Sequence, residues 1–167
     1  MPATTLRPLD RGDADWAEHR LDRGFGGRMQ ARRGELVDAL GGPGLVAERG
    51  DDRVGLLTYR MSHEDAEIVF FETTERHAGI GTVLLESFLP IATDRTVWLV
   101  TTNDNLDALR FYQRRGFVIS AVRLGAMDEA RQSLKPQIPE VGAFGIPIRD
   151  EIELEHRRAE QFGARRR

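Results

Sequence analysis

The chain reads Asn105-Leu106-Asp107-Ala108-Leu109-Arg110-Phe111-Tyr112-Gln113-Arg114-Arg115-Gly116-Phe117, which has the pattern N-x-x-A-x-x-F-Y-x-x-x-G-F. The stretch predicts a helix from about Asn105 to Arg115 that ends at Gly116. Seven residues make close to two helical turns, so Asn105, Ala108 or Leu109, and Tyr112 share one face. That face offers an amide, a small residue and a phenol in line. It suits a thin, hydrogen-bonding ligand that runs alongside the helix.

Two residues of this helix have other interpretations. Tyr112 could be a half-buried aromatic residue whose hydroxyl binds backbone, which is a common arrangement. Asn105 could be the helix N-cap, as could Asn103 or Asp104. Phe111 and Phe117 are better interpreted as core residues.

A second motif lies about two dozen residues upstream. It reads Arg76-His77-Ala78-Gly79-Ile80-Gly81 and is followed by Thr82; we call residues 76–82 the glycine loop. The sequence places it between a strand, Glu67 to Glu72, and an amphipathic helix, Gly79 to about Ala92. A helix N-terminus carries unpaired N–H groups and partial positive charge, and glycine lets phosphate oxygens approach the backbone closely. Arg76 adds a charged fork, so the loop is a candidate phosphate site.

The glycine loop has other interpretations. It could be a plain strand-to-helix turn that needs glycine. A dinucleotide-binding loop would need a third glycine where Leu84 stands, and a P-loop would need Lys-Ser/Thr where Thr82-Val83 stands.

Together the two motifs, in this order and at this spacing, resemble the pyrophosphate loop and the second motif of the GNAT N-acetyltransferases. The resemblance covers roughly Glu67 to Phe117, about a third of the chain, and more weakly the opening strand Leu6 to Leu9. It implies a GNAT-like α+β fold: a mixed, mostly antiparallel sheet of about six to seven strands, splayed between strands four and five, with flanking helices.

The remaining patterns also indicate one α+β domain over residues 1–167, with an insertion at about residues 123–150 before the last strand. The other predicted elements are a helix over Asp15 to Arg23, a helix over Arg33 to Leu40, a hairpin with its turn at Gly50-Asp51-Asp52, strands over Thr96 to Val100, Phe117 to Leu124 and Glu151 to Glu155, and a helix over Asp128 to Leu134. In the last strand, the alternation of Glu151, Glu153 and Glu155 with apolar residues predicts one solvated face.

The resemblance implies acetyl-CoA as donor and an amine as acceptor, with direct transfer of the acetyl group. The cofactor-binding residues it implies are Phe70, Phe71, Arg76, His77, Ala78, Gly79, Ile80, Gly81, Thr82 and Asn105. A backbone N–H near Phe70 or Phe71 would polarise the thioester carbonyl. Tyr112 would be the general acid, because a phenol stays protonated at neutral pH and can donate to sulfur.

The general base is less determined. Glu67 and Glu72 bracket the strand in which such enzymes often carry a catalytic carboxylate, and Asp104 is a third candidate. Residues five apart on a strand face opposite sides, so at most one of the two glutamates should face the cleft. Glu67 is the preferred residue.

Composition limits the other partners. The formal net charge is −3, with 27 acidic and 24 basic side chains, which favours neither nucleic acid nor anionic membrane. There is no cysteine, and the four histidines have no metal-ligand spacing, so we predict no metal. No signal-like or membrane-spanning stretch is seen, which predicts a cytoplasmic protein.

The sequence leaves the acceptor open between a small molecule and a peptide. A homodimer is what many related proteins form. The alternative function is a non-catalytic acyl-CoA sensor or interaction module of the same fold.

Overall fold

The computed structural model describes residues 2–24, 26–76 and 78–156, which fall into two compact units. The first extends to Gln30 and from Val37 to Arg95, and the second comprises Ala31–Leu36 and the described chain from Thr96 to His156. The strands are β1 (Thr4–Pro8), β2 (Met29–Arg32), β3 (Glu35–Asp38), β4 (Gly44–Arg49), β5 (Asp52–Met61), β6 (Asp65–Thr73), β7 (Thr96–Thr102), β8 (Phe117–Arg123) and β9 (Glu151–His156). The α-helices are α1 (Ala14–Asp22), α2 (Ile80–Ile91), α3 (Leu106–Gln113) and α4 (Ala126–Ser133).

In the first unit, the strands lie in the order β1-β4-β5-β6, and each neighbouring pair is antiparallel. Val46 of β4 and Leu56 of β5 pair directly and pack in one apolar cluster with Ala17 of α1. This burial of apolar surface holds α1 on that face of the sheet.

Helix α2 covers the other face, and Gly55 of β5 determines how closely it approaches. A Cβ atom at Gly55 would lie 2.8 Å from Leu84 Cδ1 and 3.0 Å from Ile80 Cγ2. The missing side chain therefore lets the start of α2 pack directly on the strand. At 12 residues α2 is the longest of the described helices, and none of these is long and apolar enough to cross a membrane.

In the second unit, the strands lie in the order β7-β9-β8, again antiparallel. Helix α3 packs through Tyr112, whose ring centroid is 5.1 Å from that of Phe117 on β8. Four strands in the first unit and three in the second agree with the six to seven that were expected, and the α+β class is confirmed.

The segment between β8 and β9 is tied to the end of β7 by two polar side chains. Asn103 donates to the Pro147 carbonyl at 2.9 Å and accepts from the N–H groups of Arg149 and Asp150, each at 3.0 Å. Asp104, which is 2% exposed, accepts from the Ala143 N–H at 2.8 Å. Asp104 therefore anchors a loop, which argues against its role as a general base.

The helix predicted over Arg33 to Leu40 is wrong, because this segment forms a hairpin of β2 and β3. Arg33 and Gly34 make the turn with φ of 48° and 77°. Two consecutive positive φ values are typical of a type I′ turn, whose strong sequence signal is Asn-Gly or Asp-Gly. Arginine at the first turn position hid this signal.

The solvated face predicted for β9 is also wrong. Glu151 is only 2% exposed and Glu153 only 4%. Alternation identified the two faces of the strand correctly. The carboxylates are covered because Arg123 of β8 donates to both Glu151 and Glu153, and Arg33 of the β2–β3 turn donates to Glu153.

Candidate active site

Strand β6 carries a β-bulge at Val69. Thr58 of β5 pairs with Phe70, while its neighbour Tyr59 pairs with Ile68, so Val69 is one extra residue on β6 at this point of the register. A bulge interrupts the backbone ladder and redirects the residues that follow it. It lies directly beside Phe70, where the carbonyl-polarising N–H was expected.

The bulge brings Glu67 and Glu72 to the same face of β6. They lie opposite Arg60 and Leu56, which are four residues apart on β5 and therefore share a face. The expectation that the two glutamates face opposite sides is wrong, because the extra residue shifts the alternation by one.

Each of these glutamates is bound by an arginine. Glu67 is 2% exposed and accepts a hydrogen bond from Nε of Arg60 on the neighbouring strand. Glu72 accepts two hydrogen bonds from Arg20 of α1, at 2.9 and 2.7 Å. The Glu72 side chain is 33% exposed, so it is the more accessible of the two. Sequence reasoning missed both arginines, because neither stands in a motif.

The glycine loop leads from β6 into α2 with its backbone accessible. Gly79 is the N-cap residue with φ of 77°, a left-handed conformation that favours glycine. Arg76, Ala78 and Gly79 are exposed, whereas Ile80 is 1% exposed and anchors the start of the helix. His77 lies outside the described residues.

The electrostatics of this helix start favour an anion. Among the described residues, no side chain forms a cap hydrogen bond at the start of α2, and its first turn, Ile80 to Val83, contains no acidic residue. The first N–H groups of a helix have no partner within the helix, and together with the helix dipole they attract negative charge. The loop can therefore receive phosphate oxygens.

Tyr112 of α3 is buried, with 5% of its surface exposed. Its ring meets those of Phe111 and Phe117 nearly edge-on, with centroids 5.1 Å away in both cases. Burial raises the pKa of the Tyr112 phenol well above its ordinary value of 10.0, and the charge of Arg32 opposes this only partly. The phenol is therefore a proton donor at neutral pH.

Asn105 is the N-cap of α3. Its side-chain oxygen accepts from the Ala108 N–H at 3.2 Å, and its amide donates to Thr101 Oγ1 at 3.1 Å. The capping interpretation is thus confirmed, while a ligand role for Asn105 stays a prediction.

The structure groups the predicted residues by unit. Glu67, Phe70, Phe71, Glu72 and the glycine loop lie in the first, whereas Tyr112 and Asn105 lie in the second. Among residues 2–24, 26–76 and 78–156, no three histidine, aspartate or glutamate side chains are placed to hold a metal ion.

Comparison with known proteins identifies the family. The model of the acetyltransferase (GNAT) family matches residues 13–117. The uncharacterized protein YdhI of Bacillus subtilis is 42% identical over 118 residues, which cover 69% of this chain and 72% of YdhI.

Two solved structures share the fold. The IAA acetyltransferase from Bacillus cereus superposes with a TM-score of 0.70 at 19% identity, covering 92% of this chain and 99% of that chain. A GNAT family acetyltransferase from Elizabethkingia anophelis, with acetyl-CoA bound, has a TM-score of 0.67 at 19% identity, covering 93% and 98%. These matches agree with the glycine loop that opens α2, the bulged strand before it and the buried tyrosine on the next helix. The chain belongs to the GNAT acetyltransferase family.

Proposed function

We propose that this protein transfers the acetyl group of acetyl-CoA directly to an amine acceptor. The observation that carries the proposal is the uncapped start of α2 behind Gly79, which suits the pyrophosphate of a CoA donor. Acetyl-CoA bound to the Elizabethkingia anophelis structure, which shares this fold, supports the same donor here.

The donor site combines backbone and side-chain groups of the first unit. The N–H groups from Gly79 to Thr82 and the guanidinium of Arg76 bind the pyrophosphate. A backbone N–H near Phe70 or Phe71, beside the bulge, polarises the thioester carbonyl. His77 belongs to the same loop by sequence.

The general acid of this proposal is Tyr112 of α3. As the amine attacks the thioester carbon, the bond to sulfur breaks and the thiolate leaves as CoA. Tyr112 donates its phenolic proton to that sulfur, and burial in the Phe111–Phe117 cluster keeps the phenol protonated until then. Asn105 holds the start of α3 and binds the donor arm.

The base must take a proton from the acceptor ammonium before attack. Glu67 is our first choice and Glu72 the second, since both carboxylates face the α1 side of β6. We expect Glu67→Gln to lose the acidic limb of the pH profile of kcat/KM while Glu72→Gln keeps it. The reverse result would assign the base to Glu72, and two unchanged profiles would exclude both residues.

A thermal-shift measurement tests donor binding. Acetyl-CoA at a hundredfold excess over its Kd should stabilise the folded protein by about 2.7 kcal/mol, whereas NADH and ATP should not. Arg76→Ala should reduce the shift, and Arg110→Ala, which removes an exposed arginine paired with Asp107, should preserve it.

The possible outcomes separate the two functions considered for the chain. No shift in a folded sample would reduce the glycine loop to a plain turn. A shift without thiol release from any amine would indicate an acyl-CoA sensor instead of an enzyme.

A further inference from the structure

Thr58 of β5 carries a buried hydroxyl that forms no hydrogen bond within the described part of the chain. The residue is 1% exposed, and its Oγ1 atom has neither a donor nor an acceptor partner there. A hydroxyl loses its hydrogen bonds to water when it is buried, so buried hydroxyls are normally bound by another group of the protein or by ordered water. The Thr58 hydroxyl is therefore a candidate for binding a group that is not part of the chain.

The side chain of Thr58 lies on the α1 side of the sheet. Its neighbour Tyr59 faces the other side, where its ring contacts that of Phe88 in α2. Successive side chains of a strand alternate between the two faces, so Thr58 shares a face with Leu56, which packs in the apolar cluster against α1. This is also the face that carries the two candidate bases of β6.

On that face, Thr58 lies between Glu67 and Glu72. Glu67 is opposite Arg60, two residues after Thr58 on β5. Glu72 is opposite Leu56, two residues before it. Thr58 is thus a diagonal neighbour of both glutamates, at a separation of roughly 7 to 8 Å between Cα atoms. Two consecutive O–H···O hydrogen bonds span about 5.5 Å, so one water molecule can bridge the hydroxyl and a carboxylate.

Glu67 is the carboxylate that needs such a bridge. It is 2% exposed, so an acceptor amine cannot reach its oxygens from solvent, whereas the Glu72 side chain is 33% exposed. A single water molecule can occupy a place that is too narrow for a substrate. Buried water typically makes about three hydrogen bonds to polar groups, and the Thr58 hydroxyl and the Glu67 carboxylate supply two of them.

The surroundings of Thr58 suit an apolar side chain of the same shape. Leu56 precedes it on the same face, Phe70 is its partner across the strands, and both pack in the cluster that contains Val46. Valine would fill the position without burying an unpaired hydroxyl, so packing alone does not favour threonine here.

We infer that Thr58 is a positioning residue of the acceptor site, and that together with Glu67 it holds a buried water molecule that carries the proton from the acceptor to the base. The acceptor ammonium gives a proton to this water while the water gives one of its own to the Glu67 carboxylate. The water is regenerated, and the amine is left neutral for attack. The relay rests on the proposed function, whereas the water site does not.

A crystal structure that shows ordered water tests the site directly. We expect a water oxygen at about 2.5 to 3.0 Å from Thr58 Oγ1 and from a carboxylate oxygen of Glu67. The same position should hold no water in Thr58→Val. A well-ordered wild-type structure without this water would overturn the inference, whatever reaction the protein catalyses.

Kinetics of Thr58→Val test the relay, because valine keeps the shape of the side chain and removes only the hydroxyl. The value of kcat/KM for the acceptor should fall by about tenfold or more, while the Kd of acetyl-CoA stays unchanged. The melting temperature should stay within about 4 °C of wild type, since no hydrogen bond of the described chain is lost. Thr58→Ser restores the hydroxyl and should recover most of the rate, which a purely structural role would not explain.

The acceptor probes are tyramine and trialanine, one for each class of acceptor that the sequence leaves open. The matched control is Thr74→Val. The Thr74 hydroxyl donates to the Val54 carbonyl at 3.3 Å, so it already has a partner in the fold. Its removal should leave kcat/KM unchanged.

An unchanged kcat/KM in Thr58→Val would overturn the relay, and so would a Thr58→Ser variant as slow as the valine variant. If Thr58→Val does not fold, the wild-type crystal structure and the rate of Thr58→Ser decide. Absence of thiol release by the wild type with every amine would count against the proposed function and the relay together, while the crystal structure would still decide the water site.

Discussion

Replacing Tyr112 with phenylalanine should lower kcat by one to three powers of ten, which is about 1.4 to 4 kcal/mol of transition-state stabilisation. The change removes the proton donor to the leaving thiolate and keeps the ring that packs against Phe111 and Phe117. Since the hydroxyl acts only as the carbon–sulfur bond breaks, acetyl-CoA affinity should hardly change. Steady-state kinetics and donor titration of the same preparation measure both quantities.

Tyr59→Phe is the matched control for this prediction. Tyr59 is another buried tyrosine, 8% exposed, with its ring 4.9 Å from that of Phe88 in the first unit. The Tyr59 hydroxyl takes no part in the proposed proton transfer, so Tyr59→Phe should keep kcat within about twofold. A tenfold loss would need about 1.4 kcal/mol. An unchanged kcat in Tyr112→Phe would remove Tyr112 from the mechanism.

Replacing Asp13 with asparagine should destabilise the fold by about 3 to 5 kcal/mol, the usual result of removing one partner of a buried ion pair. Asp13 has no exposed surface, and it accepts two hydrogen bonds from Arg7, at 2.7 and 2.8 Å. It also accepts from the Asp10 N–H at 3.0 Å and pairs with Arg53 at 2.8 Å. The variant leaves two guanidinium groups without their shared anion, and urea unfolding measures the loss.

Asp38→Asn is the control for Asp13, because Asp38 pairs with Arg28 at a half-exposed position. An exposed ion pair contributes about 0 to 1 kcal/mol, so the loss should be small. Comparable losses in the two variants would contradict the importance of burial at Asp13.

The pH dependence of stability gives Asp13 a second signature. Hydrogen bonds from Arg7 lower the pKa of Asp13 from 3.8 to about 2, against the opposing effect of burial. A lowered native-state pKa contributes stability that is complete above the unfolded value and is lost as the pH falls towards the native value. The stability difference between wild type and Asp13→Asn should therefore shrink from about pH 4 to about pH 2.

Sequence reasoning located the glycine loop and the Tyr112 helix because both depend on short-range spacing, and short-range spacing survives folding unchanged. It failed where one residue shifts a pattern. The bulge at Val69 moves Glu72 to the face of Glu67, and no residue type marks a bulge of this kind. It failed again at the turn of Arg33 and Gly34, where an arginine has the left-handed φ that asparagine or aspartate usually adopts.

The sequence did not predict the burial of Glu151 and Glu153 for a different reason. Their partner Arg33 precedes them by 118 and 120 residues, and alternation alone gives the same pattern for a solvated strand as for a covered one. Only the three-dimensional pairing distinguishes the two cases.

The contacts that Asn103 and Asp104 make at the end of β7 have a consequence for protein engineering and for divergence within the family. Asn103 and Asp104 hold the segment between β8 and β9 through its backbone groups, so its exposed side chains can vary without loss of these contacts. Its buried apolar cluster, which contains Met127, Ala130, Ile138 and Ile148, must keep its packing. The segment can therefore be replaced as a unit by that of a relative, provided that the apolar cluster is kept. A graft from a relative should carry this Asn-Asp pair and the glycine at position 142, where a Cβ atom would lie 2.0 Å from an Asp104 oxygen.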